Sequence, residues 1–374
     1  MSDRNQAQMR LRALLTAVAL GVASACGAAG SDQAGEQDGH AVILLYHHVA
    51  ADTPASTSVT PETFEAHLEY LQSHDYQVLP LSRIIEALTG NGDPLPPRAV
   101  AFTFDDAYDS VASEAAPRLE RYGYPYTVFV STDYIDQGYG NYLTWEELRA
   151  LERRGAAIAN HSRSHDHYLA RRSDAESDRA WRDRVSADIR AARERLDAEL
   201  RAPLTALAYP YGEFGPALTE LVADLGIVAF GQQSGPAGPA SDPQALPRFP
   251  MASRYADLDG LAEKLATRPL RVSVKAPADP VLTAGAAPPA LRLQIDSPGA
   301  LLDALSCFVS NQPSPAIRWI DREAGLVEVS AQRGLLVGRS KYTCTAPAAD
   351  GSGAYYWYSH LWMVRPAGGG WYRD

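Results

Sequence analysis

Seven short apolar runs alternating with helical patterns between 41 and about 268 predict a parallel α/β sheet or barrel. Beyond 290 the texture changes to short strand-like runs separated by turn residues, which predicts a second, small all-β domain of sandwich type over 291–374. The third observation is chemical. Paired carboxylates and paired histidines fall at the carboxyl ends of two of the apolar runs, where α/β folds gather their chemistry.

The chain opens on Arg4, Arg10 and Arg12, followed by ALLTAVALGVA, which is too short to span a bilayer as a stable helix. Ala23, Ser24 and Ala25 then lead into Cys26. This resembles a bacterial lipoprotein signal, which implies a signal peptide over 1–25 and a lipid on Cys26. Ala23 stands where a larger aliphatic residue is usual, so ordinary secretion is the alternative. Residues 26–40 are small and polar, suited to a flexible tether. The expected location is therefore the periplasm or outer membrane, with membrane contact only through Cys26. If Cys26 is lipidated or removed, Cys307 and Cys344 remain, as a disulfide or as two buried thiols.

Strands are expected at VILLY (42–46), AVAFTF (99–104), YTVFVS (126–131), AAIAN (156–160), TALAY (205–209), GIVAF (226–230) and LPRFPM (246–251). The helix beginning at Pro61 has Thr60 as its cap and places Phe64, Leu68 and Leu71 on one face. TWEEL carries a capping box, Thr144 with Glu147. A long polar helix near 174–200 has the stripe Val185, Ile189, Leu196 and Leu200, and the helix PALTELVADLG stops on Gly226. These elements define a domain over 41–268. The stretch 269–290, rich in Pro and Ala, reads as a linker. In the β domain, LRLQID, AIRWID, LVEVSAQ, LLVGRSKYTCT and AYYWYSHLWMV read as strands. The tryptophans and tyrosines there suit a core better than a sugar-stacking face.

AVAFTF ends on Asp105 and Asp106, two adjacent anions whose burial is costly unless water bathes them or a cation sits between them. AAIAN runs into HSRSH, so His161 and His165 also stand at a strand end. Asp106, His161 and His165 would make a site for one divalent ion with a coordination position open to water. Zinc is the first expectation; cobalt, nickel and iron also suit these ligands. AYPYGEF is a rigid turn that can aim the Tyr211 backbone N–H at a developing oxyanion, with Tyr209 and Pro210 beside it as further substrate-binding candidates.

TFDD, HSRSH and YPYG, in this order and spacing, resemble the first three motifs of the polysaccharide deacetylases, carbohydrate esterase family 4, the NodB-homology domain. YPYTVFVS and LTWEELRALERRGAAIANHS fit the same family. The resemblance implies a distorted (β/α) barrel of about seven strands and metal-dependent removal of N-acetyl groups from a sugar polymer. Carried over, it implies that Asp105 is the general base, that Asp106, His161 and His165 bind the metal, and that Tyr211 supplies the oxyanion donor. LLYHHVA and SVTPETFEAHLEYLQSHDYQVLPLSRI resemble exported deacetylases of poly-β-1,6-N-acetylglucosamine, a biofilm adhesin, with Tyr46-His47 matching their opening pair. Two positions depart from the family. Its base-orienting Arg is Ala208 here, for which Arg248 is a replacement candidate, and its late Leu-x-His is replaced by LPRFPM. A proton for the leaving amine then points to His47, at the end of the first strand.

The composition limits the alternatives. The 374-residue chain is 46% apolar and 21% charged, as globular proteins are, and its net charge of −11 with no basic stripe argues against nucleic acid. The expected partner is an N-acetylated polysaccharide, with polysaccharide-export machinery as a further candidate. Other acetylated substrates, such as peptidoglycan, chitin-like glycans or acetyl esters, are the alternative, as is a glycan-binding protein of low activity.

Overall fold

The computed structural model describes residues 39–169, 172–173 and 175–368. The expected signal segment, Cys26 and nearly all of the tether lie outside the described residues. One compact unit spans Asp38–Asp374. No helix among the described residues is long and apolar enough to cross a membrane.

Seven parallel strands follow one another around a curled sheet in the order Phe249–Pro250, Ala41–Tyr46, Ala99–Phe104, Tyr126–Val130, Ala157–Asn160, Leu204–Ala208 and Val228–Phe230. Each of the seven expected runs supplies one of them. AVILLY, AVAFTF and YTVFV are buried along their whole length, because strands of a parallel sheet covered on both faces need apolar side chains on both. Alternate residues separate the faces. Ala41, Ile43, Ala99, Ala101, Phe129, Ala159, Ala206, Ala208 and Phe230 share one cluster, drawn from every long strand, and so fill the lumen. Val42, Leu44, Val100, Phe102, Val128 and Ile158 face outward onto helix residues such as Phe64, Leu68, Leu119, Leu148 and Leu151. The segment 246–251 closes the barrel. Leu246 bridges to Phe230 on the last strand, and Phe249 pairs with Leu44 on the first.

The helices begin where their caps predict. Thr60 accepts a hydrogen bond from the Thr63 N–H at 3.1 Å, and Thr144 and Glu147 form the reciprocal capping box. The long helix is Asp178–Glu199, and its apolar stripe also buries Trp181 and Asp188.

The C-terminal region contains two further sheets. Strands Thr267–Pro269, Tyr355–Arg365, Gly338–Pro347 and Ser306–Val309 follow one another in the first sheet, with Val281–Thr283 also on Tyr355–Arg365. Val272–Ala276, Ala290–Ile295, Leu326–Ser330 and Ala316–Asp321 make the second. Leu291, Leu293, Val327 and Val329 of one sheet share a core with Tyr342, Trp362 and Val364 of the other. Cys307 and Cys344, opposite each other in register, form a disulfide. The expected linker 269–290 needs correction: it holds the strands Val272–Ala276 and Val281–Thr283, each paired with a partner from this region. Its prolines lie beside these strands rather than inside them, which leaves the ladder bonds intact.

Candidate active site

Period-two alternation brings the chemistry together. The lumen-facing row Ala99, Ala101, Thr103 continues to Asp105 just past its strand end, and the row containing Ala159 continues to His161. The row Ala41, Ile43, Leu45 continues to His47, which falls level with Asp105 because Tyr46 pairs with Phe104. Asp105 N–H donates to the Tyr46 carbonyl at 2.9 Å, and His161 N–H to the Val130 carbonyl at 2.9 Å, so both turns leave the sheet from fixed points.

Asp106, His161 and His165 converge. Asp106 Oδ1 lies 3.2 Å from His161 Nε2 and 3.1 Å from His165 Nε2. Ligand atoms about 2.1 Å from a tetrahedral ion stand roughly 3.4 Å apart, so one ion fits this spacing. Two observations support the fit. Asp106 Oδ1 is buried with no hydrogen-bond partner, and an orphaned acceptor of that kind is costly unless a cation satisfies it. His161 Nδ1–H donates to the Ala208 carbonyl at 2.8 Å, which leaves the Nε2 lone pair for a ligand. Burial works to raise the Asp106 pKa, but the imidazoles of His165 and His161 outweigh it and hold the carboxyl well below its usual range.

The local backbone is shaped for this convergence. Five of the nine non-glycine residues with positive φ among the described residues are Asp106, Ala107, Ser162, His165 and Tyr211. Left-handed backbone costs about 1–2 kcal/mol at such residues, so the surroundings must enforce it. Asn160 Oδ1 accepts the Ser162 N–H at 2.7 Å, and Ser162 Oγ accepts the His165 N–H at 2.7 Å. In the YPYG turn Gly212 has φ +69, and a Cβ there would lie 2.5 Å from the Gln232 side chain. Glycine alone fits.

Asp105 differs from Asp106 in its partner. It is fully enclosed, and Arg248, also fully enclosed, grips it with two parallel bonds: Nη1 to Oδ1 and Nη2 to Oδ2, each 2.7 Å. The guanidinium is itself fixed by Nε donating to the Gly231 carbonyl at 2.9 Å and Nη1 to Thr103 Oγ1 at 3.2 Å. Burial pushes the Asp105 pKa up, Arg248 chiefly pulls it down, and the result lies below the ordinary value.

These facts correct part of the sequence reading. Arg248, a candidate both for substrate binding and for replacing the arginine absent from position 208, is fully buried with Nε, Nη1 and Nη2 all bonded to protein acceptors, so it is not placed to bind a substrate. It sits instead under Asp105, where the arginine absent from position 208 would act. Tyr209 and Pro210 are likewise buried, and the Tyr209 hydroxyl donates to the Gln244 carbonyl at 2.7 Å. Tyr211 remains at the rim, partly exposed, its ring centroid 4.6 Å from that of His165. His47 is partly buried. Its burial lowers its pKa, with Asp106 and Asp105 opposing. The neighbouring His48 is buried and stacks on Tyr108 at 3.6 Å.

Sequence reasoning misses two residues here, Glu213 and Arg339, and reads His167 only as a spare ligand or a surface residue, whereas it lies beside Tyr211. His167 stacks on the Tyr211 ring at 3.6 Å, and its Nδ1 lies 3.1 Å from Glu213 Oε1. Arg339, from the β region, reaches the same spot. The HSRSHDH run suggests His167; nothing in the chain pattern links Arg339 to it.

The family model described as "Polysaccharide deacetylase" matches residues 92–230, which carry Asp105, Asp106, His161, His165 and Tyr211. Residues 92–230 thus match a polysaccharide deacetylase domain of the NodB type. A Bacillus subtilis relative is 32% identical over 123 residues, 33% of this chain and 42% of its own. The poly-β-1,6-N-acetyl-D-glucosamine N-deacetylase of Escherichia coli is 25% identical over 250 residues, 57% of this chain and 36% of its own. The enzyme of the same name from Staphylococcus aureus is 24% identical over 212 residues, 55% of this chain and 72% of its own. The chain thus spans about four tenths of the length of the first two. In fold, it resembles IcaB from Ammonifex degensii with a TM-score of 0.54 at 21% identity, covering 61% of this chain and 97% of that one. The Streptococcus pyogenes deacetylase PplD superposes equally well, with a TM-score of 0.54 at 22% identity over 60% of this chain and 98% of that one.

Proposed function

We propose that this protein is an exported, metal-dependent N-deacetylase of poly-β-1,6-N-acetylglucosamine, the polysaccharide of biofilm matrix. The observation that carries the chemistry is the division of labour between two adjacent buried carboxylates: Asp106 faces two imidazoles, and Asp105 faces one arginine. A divalent ion, zinc first among the candidates, would be held by Asp106, His161 and His165 and would supply Lewis-acid activation of water and of the acetamide carbonyl. Asp105 takes the proton of the attacking water, with Arg248 fixing its orientation. The Tyr211 backbone N–H donates to the oxygen that gains charge as the carbonyl carbon becomes tetrahedral. The C–N bond then breaks as His47 protonates the leaving nitrogen, which gives acetate and a free glucosamine amine. The substrate assignment is supported by the names of the Escherichia coli and Staphylococcus aureus relatives. Export, with a lipid on Cys26 and residence in the periplasm or outer membrane beside polysaccharide-export machinery, is supported by the arginines and apolar run before Cys26.

Acetate release from poly-β-1,6-N-acetylglucosamine, chitin oligomers, peptidoglycan and acetyl esters, each with and without chelator, tests the reading. The first substrate should give the highest kcat/KM, and chelation should abolish it. Release that survives complete metal removal would refute the mechanism, and preference for another glycan would refute the substrate. Membrane fractionation of Cys26→Ser against wild type tests the anchor.

A further inference from the structure

We propose that Arg339, carried by the β region, is a positioning residue for the YPYG turn, so that the barrel's active site is completed by a residue from outside the barrel. Arg339 lies on the strand Gly338–Pro347, more than a hundred positions after the YPYG turn. Its guanidinium carbon stands 5.3 Å from the centroid of the Tyr211 ring, and its Nη1 lies 3.7 Å from Glu213 Oε1. Glu213 is almost wholly buried, and the same Oε1 is 3.1 Å from His167 Nδ1. The His167 and Tyr211 rings stack at 3.6 Å with 4° between their planes, and Tyr211 lies against His165.

A chain of contacts therefore runs from Arg339 through Glu213 to the histidine loop and across Tyr211 to a candidate metal ligand. Its effect on Tyr211 is specific. That residue has φ 58 and ψ 5, a conformation a tyrosine does not hold unaided, and its ring stacks on an imidazole with a guanidinium also within cation–π range. The same backbone carries the N–H proposed to meet the oxyanion, where misplacement is costly to kcat and leaves ground-state binding largely intact. The neighbouring Lys341 anchors the strand, its Nζ donating to the Gln232 carbonyl at 2.6 Å.

The test uses the intact protein with Arg339→Ala and Arg339→Lys. Because the kinetic part rests on the deacetylase reading, hydrogen–deuterium exchange of peptides covering 209–216 is measured alongside acetate release. Arg339→Ala should raise exchange in those peptides and lower kcat about tenfold while changing KM less than twofold. Arg339→Lys, which keeps a cation near the ring and carboxylate, should recover kcat to within about threefold of wild type. Unchanged exchange at 209–216 in Arg339→Ala overturns the proposal. So does an altered exchange with unchanged kcat, which makes the contact merely structural. A wild-type protein without acetate release from any substrate would refute the deacetylase reading instead, and the exchange result would still decide whether Arg339 holds the turn.

Discussion

Replacing Arg248 by Met should destabilise the protein sharply, and replacing Asp105 as well should restore much of the loss. Both groups have no exposed surface, and two 2.7 Å bonds join them. Removing one partner from such a pair leaves a buried charge uncompensated, at a cost of about 3–5 kcal/mol. The methionine also strips a donor from the Gly231 carbonyl and from Thr103 Oγ1. For a folded unit of this size each kcal/mol lowers Tm by about 2 °C, so Arg248→Met should melt roughly 6–10 °C below wild type. Asp105→Asn should show a loss of the same order, because it leaves the guanidinium buried against a neutral amide. The double variant removes both charges, and its loss should be well below the sum of the two singles. Differential scanning calorimetry on the four metal-free proteins reads the cycle. Strictly additive losses, or an Arg248→Met variant melting within 2 °C of wild type, would refute the idea that this pair is a coupled, enclosed unit.

His161→Ala should lose near-stoichiometric divalent metal in elemental analysis, whereas Asp105→Asn should retain it and lose at least about a hundredfold in turnover, the usual range for a general base. His47→Ala should keep metal and lose turnover on acetamides far more than on activated acetyl esters; equal losses would assign His47 to structure. Reduction of Cys307–Cys344, which are separated by 37 positions, should destabilise the β region by about 4 kcal/mol on the chain-entropy model, read as a lowered unfolding midpoint. His67 is pushed down to about 4 by burial, its Nε2–H donating to the Ala256 carbonyl and its Nδ1 accepting from the Tyr46 hydroxyl. A histidine depressed in the fold favours the neutral form, so its stabilisation is complete above an unfolded pKa of about 6.5 and falls as pH drops toward 4. The His67→Gln variant should show a flatter loss of stability than wild type between those pH values, by about 3 kcal/mol across the window.

Much of the site is legible before folding because it follows the strand period. Ala99, Ala101, Thr103 and Asp105 share a face by alternation alone, and so do Ala159 with His161 and Ile43 with His47. What the period cannot show is which distant residue enters the lumen to meet them. Arg248 is 143 positions from Asp105, and LPRFPM reads equally well with that side chain facing out. Tyr209 fails for the opposite reason: a tyrosine beside a catalytic turn looks available, yet it lies on the buried side of its strand end. The 269–290 segment misleads through composition. Its strands are only three to five residues long and depend on partners such as Met363 for Val281, so local pattern carries little of their signal. His67 is hidden in the same way, within a helix face that Phe64, Leu68 and Leu71 already explain.

The position of Arg248 connects folding to chemistry. The segment 246–251 is what joins the last barrel strand to the first, through Leu246 on Phe230 and Phe249 on Leu44. Arg248 lies between those two pairings, so the guanidinium arrives under Asp105 only when the barrel closes. An arginine in the third motif, at position 208, would come from a strand already in the sheet and would not depend on closure. Here Ala208 leaves lumen space, and its carbonyl serves His161 instead. Barrel closure and orientation of the base are thus one event. A substitution that loosens the Phe249–Leu44 pairing, such as Phe249→Ala, should lower kcat through Asp105 even though Phe249 faces the outer layer and never reaches the substrate. Metal retained by that variant, alongside a lowered kcat, would distinguish a misplaced base from a collapsed site; full activity would separate closure from catalysis and refute the connection.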